Sequence, residues 1–255
     1  MKKIKFKTYH KKILADKLTP VSIYLKLRDN FTNSLLLESS DYDVNNKNFS
    51  YICCEAIASI SVKDGIITYT YPDQKKLTTK IKKNESLPLI IENFSKKFDY
   101  NHKKYNFISN GLFGYISHEA VSHFEDLDLD KKKDTLEIPE LYYAVYKYII
   151  SVSLFNHEAH IFCHSTNNKN EIEIIDKLLK KDVSTNYSFS KKGEKISNFT
   201  DKEFTNLVKK GKDHCFRGDV FQIVLSRRFS QRFYGDELNV YRALRSINPS
   251  PYLFF

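Results

Sequence analysis

The densest group of side chains that could bind a metal or transfer protons lies near the middle of the chain. It contains His118, Glu119, His123, Glu125 and Asp126. Helical zinc sites use ligands four residues apart, because that spacing places both side chains on one face. His118 and His123 are five residues apart and do not follow this rule. We therefore predict a solvated helix face here and no metal site.

Other arrangements that could support chemistry are also incomplete. Gly111 and Gly114 lack the further glycines and the spacing of a phosphate-binding or dinucleotide-binding loop, so a packing role is the better interpretation. No serine lies in a nucleophile elbow. His214 and Cys215 are sequence neighbours, and adjacent side chains on a helix diverge by roughly 100°. The residues themselves therefore predict no catalytic group.

The net charge of +10 raises the question of nucleic-acid binding. Only seven of the 41 basic residues are arginine, and no helix-turn-helix, zinc-finger or RNA-recognition signature accompanies them. We therefore predict no nucleic-acid partner. No run of about 18 apolar residues could span a bilayer. The basic first residues are not followed by the apolar region of a signal peptide. These patterns predict a cytoplasmic location and no membrane partner.

The four cysteines are interpreted as reduced and structural. They are Cys53, Cys54, Cys163 and Cys215, and their spacing fits neither a zinc site nor a small secreted disulfide framework. Cys53 and Cys54 are adjacent, so they would point to opposite faces of a strand.

Helical spacing of apolar residues, together with capping residues, predicts five helices. The first helix begins at Thr19-Pro20, the second spans residues 87–98 and the third spans 171–181. The fourth extends from the capping box at 200–203 to Gly218, and the fifth spans about 237–247. The fourth is the clearest, because one of its faces is apolar or small: Phe204, Leu207, Val208, Gly211 and Cys215.

Strand patterns lie between these helices. A short apolar strand is predicted at residues 34–40, and a hairpin joins residues 51–62 to 66–71 through Asp64-Gly65. A second hairpin joins residues 141–155 to 159–163 and follows a solvated lysine loop at 131–133. Residues 220–233 alternate as in a half-buried strand, with Phe221, Ile223, Leu225 and Phe229 on one side.

Residues 167–198 combine a short helical stretch with a segment rich in Lys, Ser and Asn, which is typical of a domain boundary. We therefore predict two domains, residues 1–190 and 191–255. The sequence stops on the apolar run Pro251-Tyr252-Leu253-Phe254-Phe255, without the turn residues that normally follow a strand. This pattern leads us to expect a chain interrupted in mid-strand.

Five segments, taken in order, carry a resemblance to a known family. They are LADKLTPVSIYLKLRDNFTNSLLLESSDY, FSYICCEAIASI, GLFGYISHE, FRGDVFQIVLSRRF and YRALRSINPSPYLFF. Together they closely resemble the large subunit of anthranilate synthase, component I, over essentially the whole chain. Several such segments in the right order are far more specific than any single short motif.

The resemblance implies an α+β fold in which antiparallel sheets form a sandwich with outer helices, here incomplete. It implies an amino-terminal component I domain over residues 1–190 and the start of a chorismate-binding domain over 191–255. In the family, a magnesium-dependent lyase converts chorismate and ammonia to anthranilate and pyruvate, and a glutamine amidotransferase subunit supplies the ammonia. The family's catalytic and magnesium-binding residues follow the NPSPY segment, so the resemblance implies neither kind in this chain.

The resemblance also implies a feedback site for L-tryptophan. Its residues carry over to Glu38, Ser39, Pro251, Tyr252 and Leu253, the last standing where methionine is usual. The chemistry is suitable, because a carboxylate can bind the ligand's ammonium group, a hydroxyl can hydrogen-bond, and apolar residues can enclose the indole.

Three functions remain open at this stage. The first is a component I fragment that carries the feedback half and lacks the catalytic half, from either an eroded or a split gene. The second is a stand-alone tryptophan-binding regulatory module. The third is a fragment of aminodeoxychorismate synthase component I, whose later segments are similar.

Overall fold

The computed structural model describes residues 3–39, 48–82, 85–101, 105–125, 137–182 and 187–255. The chain forms two compact units. The sheet unit comprises Met1–Thr185 and Pro249–Phe255, and the smaller unit comprises Asn186–Asn248. The predicted division between residues 190 and 191 stays a prediction.

Twelve strands occur among the described residues. They are β1 (Ile4–Leu14), β2 (Leu35–Ser39), β3 (Phe49–Lys63), β4 (Ile66–Thr70), β5 (Lys76–Lys80), β6 (Phe98–Asn101), β7 (Phe113–Ile116), β8 (Leu141–Ser153), β9 (Glu158–Ser165), β10 (Phe189–Ser197), β11 (Phe229–Gly235) and β12 (Tyr252–Phe254). The α-helices are α1 (Pro20–Leu27), α2 (Leu87–Ser95), α3 (Ile172–Lys180), α4 (Asp201–Phe216) and α5 (Leu238–Ile247).

One large sheet forms the sheet unit. Ten strands of the described residues belong to it, in the order β12-β2-β3-β8-β9-β1-β6, with β4 on β3, β5 on β4 and β7 on β8. Every pair is antiparallel except β1 with β6. The predicted α+β class, dominated by antiparallel strands with helices, is confirmed.

Both predicted hairpins are confirmed. Between β3 and β4, Asp64 and Gly65 adopt positive φ angles of 50° and 72°, which a two-residue hairpin turn requires. β8 and β9 pair antiparallel from Tyr148 opposite Cys163 to Ser153 opposite Glu158. Most of β8 is buried, because strands cover both of its edges and the core covers its faces.

Hydrogen bonds at the first residues of α1, a helix that packs on β2, determine where this helix begins. Thr19 accepts a hydrogen bond from the Ser22 N–H at 3.1 Å, and Ser22 Oγ accepts one from the Thr19 N–H at 2.9 Å. Pro20 occupies the first turn, where no donor is needed. The resulting helix, α1, buries Ile23 and Leu27 completely and packs on β2, β3 and α3. The predicted helix is confirmed.

Gly114 in β7 has the packing role that its sequence context predicted. A Cβ built at this position would lie 1.9 Å from the backbone oxygen of Tyr142 on β8. No side chain fits at that distance, so only glycine allows β7 to approach β8 this closely.

The smaller unit contains a two-stranded sheet, β10 with β11, and the helices α4 and α5. The predicted capping box of α4 is confirmed: Thr200 accepts from the Glu203 N–H, and Glu203 accepts from the Thr200 N–H at 2.8 Å. Gly218, with φ of 78°, ends the helix as predicted. The helix predicted at 237–247 is confirmed as α5.

Two sequence predictions were wrong. The helix predicted to reach Phe98 ends at Ser95, and Phe98 begins β6, which pairs with β1. The strand predicted over 220–233 exists only from Phe229, because the residues before it have no ladder partner among those described. β10 was missed, because its Lys-rich and Ser-rich sequence shows no apolar alternation.

Some predictions fall outside the described residues. These concern Ser40 at the end of the predicted strand 34–40, Asp126, and the lysine loop at 131–133.

Candidate functional site

The five residues predicted to bind an amino acid come from two neighbouring strands of the sheet unit. β2 and β12 pair antiparallel, with Ser39 opposite Tyr252 and Glu38 opposite Leu253. Pro251 directly precedes β12. Backbone pairing therefore brings together segments that are about two hundred residues apart in the sequence.

The contact between these segments continues past the end of β12. Phe255 and Leu36 exchange two backbone hydrogen bonds of 2.9 Å. The ring of Phe255 packs edge-on against Tyr24 of α1, with centroids 5.9 Å apart. Because Tyr24 and Leu36 are buried, α1 and β2 together hold the last residues of the chain in register.

The pleat of the sheet divides the predicted residues between its two faces. Side chains that lie opposite each other share a face, and successive side chains alternate. Glu38 and Leu253 therefore share the face of Leu36, which α1 covers, whereas Ser39 and Tyr252 share the other face. The structure brings all the residues into one region but does not place them around a single face.

Glu38 is the buried member of the group, with 5% of its surface exposed, next to the half-buried Leu253. A carboxylate at this depth attracts an ammonium group strongly, because burial reduces competition from water. Leu253 adds an apolar surface directly beside it. This pair provides a partner for the ammonium group of an amino acid and an apolar surface for its side chain, and the ligand's carboxylate requires donors from elsewhere.

Ser39 is tied to the neighbouring strand through its backbone. Its N–H donates to Ser50 Oγ on β3 at 3.3 Å, and Ser50 is buried. Tyr252, opposite Ser39, is 74% exposed, and Pro251 is exposed too. The face that carries Ser39 and Tyr252 is therefore open at this edge of the sheet.

The histidine and carboxylate cluster near residue 120 agrees in part with the predicted solvated helix face, because His118, Glu119 and Glu125 are exposed, whereas His123 is half-buried. Residues His118–His123 form a single 3₁₀ helix that buries Ala120. His123 Nε2 lies 2.6 Å from Glu140 Oε2, and Glu140 is buried beside β8. The described part of the chain contains no group of three side chains that could hold a metal ion.

An aromatic surface on β1 and β9 was not found from the sequence. His10 Nε2 and His160 Nδ1 are 3.0 Å apart, and His10 stacks on Phe162 at 4.8 Å between centroids. Burial and the neighbouring His160 lower the pKa of His10, and burial and Lys12 lower that of His160. Only the pairing of β1 with β9 reveals the cluster, because its members are 150 residues apart.

Lys147 on β8 lies between two carboxylates that sequence inspection did not connect. Its Nζ is 3.1 Å from Glu55 on β3 and 2.7 Å from Glu171 before α3. Burial opposes the charge, but the hydrogen bonds to Glu171 and Glu55 raise the pKa of Lys147. Lys147 therefore links β8 to β3 and to the residue before α3 in the sheet unit.

Comparison with known proteins decides the family. The profile of the family described as chorismate binding enzyme matches residues 42–255. The chain belongs to this family. Its component I resemblance is also confirmed: anthranilate synthase component 1 of Aquifex aeolicus is 30% identical over 95% of this chain and 51% of its own length. The protein of that name from Lactococcus lactis is 27% identical over 96% of this chain and 54% of its own length.

A solved structure supports the fold of this chorismate-binding family member. The crystal structure of anthranilate synthase component I from Streptococcus pneumoniae superposes with a TM-score of 0.57 at 19% identity, covering 93% of this chain and 52% of that one. The chain therefore spans about half the length of the relatives that it matches.

No helix in the described ranges has the length and apolar character needed to cross a membrane.

Proposed function

We propose that this chain is a part of anthranilate synthase component I and carries its feedback site for L-tryptophan. The observation that carries the proposal is the β2–β12 register, which places buried Glu38 directly beside Leu253. Component 1 relatives at 27–30% identity over 95–96% of the chain support the same assignment.

In this proposal, the Glu38 carboxylate binds the ammonium group of tryptophan, and Leu253 and Pro251 contact the indole. Ser39 is the last residue of β2 and faces the other side of the strand pair, so in this proposal its hydroxyl hydrogen-bonds to the polar end of the ligand at the end of the strand. A ligand that joins β2 to β12 stabilises the arrangement in which these strands are paired, and it shifts an equilibrium only as far as it prefers that arrangement.

The lyase reaction itself is assigned to the part of component I that this chain does not span. In the complete enzyme, chorismate and ammonia would give anthranilate and pyruvate, with the ammonia delivered by a glutamine amidotransferase subunit. Such a reaction requires magnesium, but the described residues offer no group of three ligands for it. We therefore derive no metal-dependent step from these residues.

Isothermal titration calorimetry of the purified chain with L-tryptophan tests the proposal. We expect saturable 1:1 binding, weakened by about 1–3 kcal/mol in Ser39→Ala because the ligand loses its hydrogen bond to the Ser39 hydroxyl. Glu38→Gln should weaken binding further, since it removes the charge that pairs with the ammonium group. Ser246→Ala is the matched control, because Ser246 bonds only locally within α5 of the smaller unit. Unchanged affinity in both site variants would remove these residues from the site.

Activity measurements give a second test of the assignment. The purified chain, supplied with chorismate, ammonium and magnesium, should form no anthranilate by fluorescence. Turnover by this chain alone would show that the reaction does not need the part of component I outside it.

A further inference from the structure

Two histidines on neighbouring strands of the sheet unit face each other, away from the proposed amino-acid site. β1 and β9 pair antiparallel, with His10 opposite Phe162 and Lys12 opposite His160. His10 and His160 are therefore diagonal neighbours on one face of the strand pair, a relation that long side chains can bridge. His10 Nε2 lies 3.0 Å from His160 Nδ1. Strand pairing thus brings together two copies of the side chain that most often binds metal ions in proteins.

The separation of the two nitrogens fits coordination of a single ion. Imidazole nitrogens bind Zn²⁺ at about 2.0–2.1 Å, so two of them on one ion are at most about 4.2 Å apart. The observed 3.0 Å lies within that limit. The same distance suits the hydrogen bond that the two rings share without an ion.

An ion would replace this hydrogen bond. The histidine that donates the shared proton would take its other neutral tautomer, with the proton on the ring nitrogen that faces away from the ion. Each ring would turn about its χ2 torsion, which is broad in histidine, so that the two nitrogens point to one position. The change is therefore confined to the two side chains.

Aromatic side chains hold the two rings beside each other. His10 packs on Phe162 with centroids 4.8 Å apart and on Tyr105 at 5.2 Å. His160 packs on Phe107 at 4.7 Å. These contacts reduce the side-chain entropy that coordination would otherwise cost. His10 is exposed and His160 is half-buried, so the pair is accessible to an ion from the solvent.

The charges beside the pair are balanced. Lys12 lies opposite His160, and a cation at the pair would be repelled by an isolated ammonium group there. The Lys12 Nζ is, however, 2.6 Å from Glu158 Oε1. The Glu158 carboxylate therefore offsets the positive charge next to the two imidazoles.

A third histidine on the same face of β9 is already engaged. His164 Nδ1 lies 2.8 Å from Thr8 Oγ1, and its Nε2 lies 2.9 Å from the Ser109 carbonyl oxygen. His164 is also buried. Coordination by His164 would break contacts of both ring nitrogens, so we restrict the site to His10 and His160.

We infer that His10 and His160 together bind one late first-row transition-metal ion, of the class of Ni²⁺, Cu²⁺ or Zn²⁺, and so clamp β1 to β9. Imidazole favours these ions, whereas Mg²⁺ prefers oxygen ligands. Two protein ligands leave the other coordination positions to water. β3 and β8 separate these strands from β2 and β12, so the inference does not depend on the proposed function.

Isothermal titration calorimetry of the purified chain with Ni²⁺ tests the inference. We expect saturable 1:1 binding, weakened at least about tenfold in His10→Gln and in His160→Phe, because each variant leaves a single nitrogen ligand. His118→Gln is the matched control, an exposed histidine on the 3₁₀ helix, and should bind within about twofold of the unmodified chain. Mg²⁺ should not bind at the same concentrations.

Two kinds of result would overturn the inference. The first is the absence of Ni²⁺ binding, or equal binding of Mg²⁺. The second is an affinity for Ni²⁺ that stays the same in His10→Gln or in His160→Phe, since one of the two nitrogens would then be dispensable.

Thermal unfolding measures the clamp itself. An ion bound only to the folded pair stabilises the native state, so Ni²⁺ should raise the melting temperature of the unmodified chain and of His118→Gln. His10→Gln and His160→Phe should show no such rise. Because His10 is exposed, His10→Gln keeps the test decisive even if His160→Phe loosens the packing on Phe107. An equal rise in His10→Gln would locate the ion elsewhere and contradict the assignment.

Discussion

Similar apolar sequence patterns are buried in the sheet unit and largely exposed in the smaller unit. In the sheet unit, apolar residues of helices and strands come together in an enclosed core, where Ile60, Phe94 and Leu141 have no exposed surface. In the smaller unit, α4 has an equally regular apolar stripe but buries only Gly211. An apolar pattern in the sequence therefore identifies the face of a helix or strand that is suited to burial. It does not show that other described residues of this chain bury that face.

The largest expected effect compares two phenylalanines at similar places in their helices. Phe94 lies near the end of α2 and is completely buried, so Phe94→Ala should lower the free energy of unfolding by about 3–5 kcal/mol. Phe216 ends α4 and is 83% exposed, so Phe216→Ala should change it by less than about 0.5 kcal/mol. Urea unfolding followed by circular dichroism measures both. Similar losses of unfolding free energy in the two variants would show that the two units do not differ in how they bury their helices.

The helix caps should show a smaller and more even effect. Thr19 and Thr200 make the same reciprocal capping box in different units. Thr19→Ala and Thr200→Ala should each cost about 1 kcal/mol, because each leaves helix N–H groups without an acceptor. Hydrogen exchange at the first turns of α1 and α4 reports each loss locally. Serine at either position is the matched control, and it should retain most of the stability.

The smallest expected effect is a pH dependence confined to the sheet unit. The pKa values of His10 and His160 are lowered in the folded state, so folding favours their neutral forms. Their contribution is complete above the ordinary histidine pKa of 6.5 and is lost as the pH falls through the lowered folded values. Lys12 disfavours protonation of His160, while Glu158 partly favours it.

Thermal unfolding between about pH 7.5 and 5 measures this dependence. The melting temperature should fall toward the acidic end, and His160→Phe should flatten the curve while preserving the ring contacts. An identical pH profile in that variant would show that other groups control acid stability.

Local signals in the sequence predicted elements well where local chemistry determines them. The capping residues Thr19 and Thr200 and the Asp64-Gly65 turn were sufficient to place two helices and a hairpin. The grouping of Glu38 with Leu253 came from the family resemblance, and no periodicity indicates it. The strand order, the His10–His160 contact and the position of Lys147 depend on pairing between distant segments, which a single sequence does not encode locally.

The pairing of β2 with β12 affects the order in which the strands of the sheet come together during folding. Contacts between residues far apart in the chain form slowly, because a long loop must close before any bond is gained. During synthesis, about two hundred further residues must emerge after β2 before Tyr252–Phe254 can pair with it. Until then, Glu38 lies on an unprotected edge of a nascent sheet. The β2–β12 pair therefore forms after the β2–β3 pair, and a ligand bound across the two strands, as proposed above, would favour the paired state.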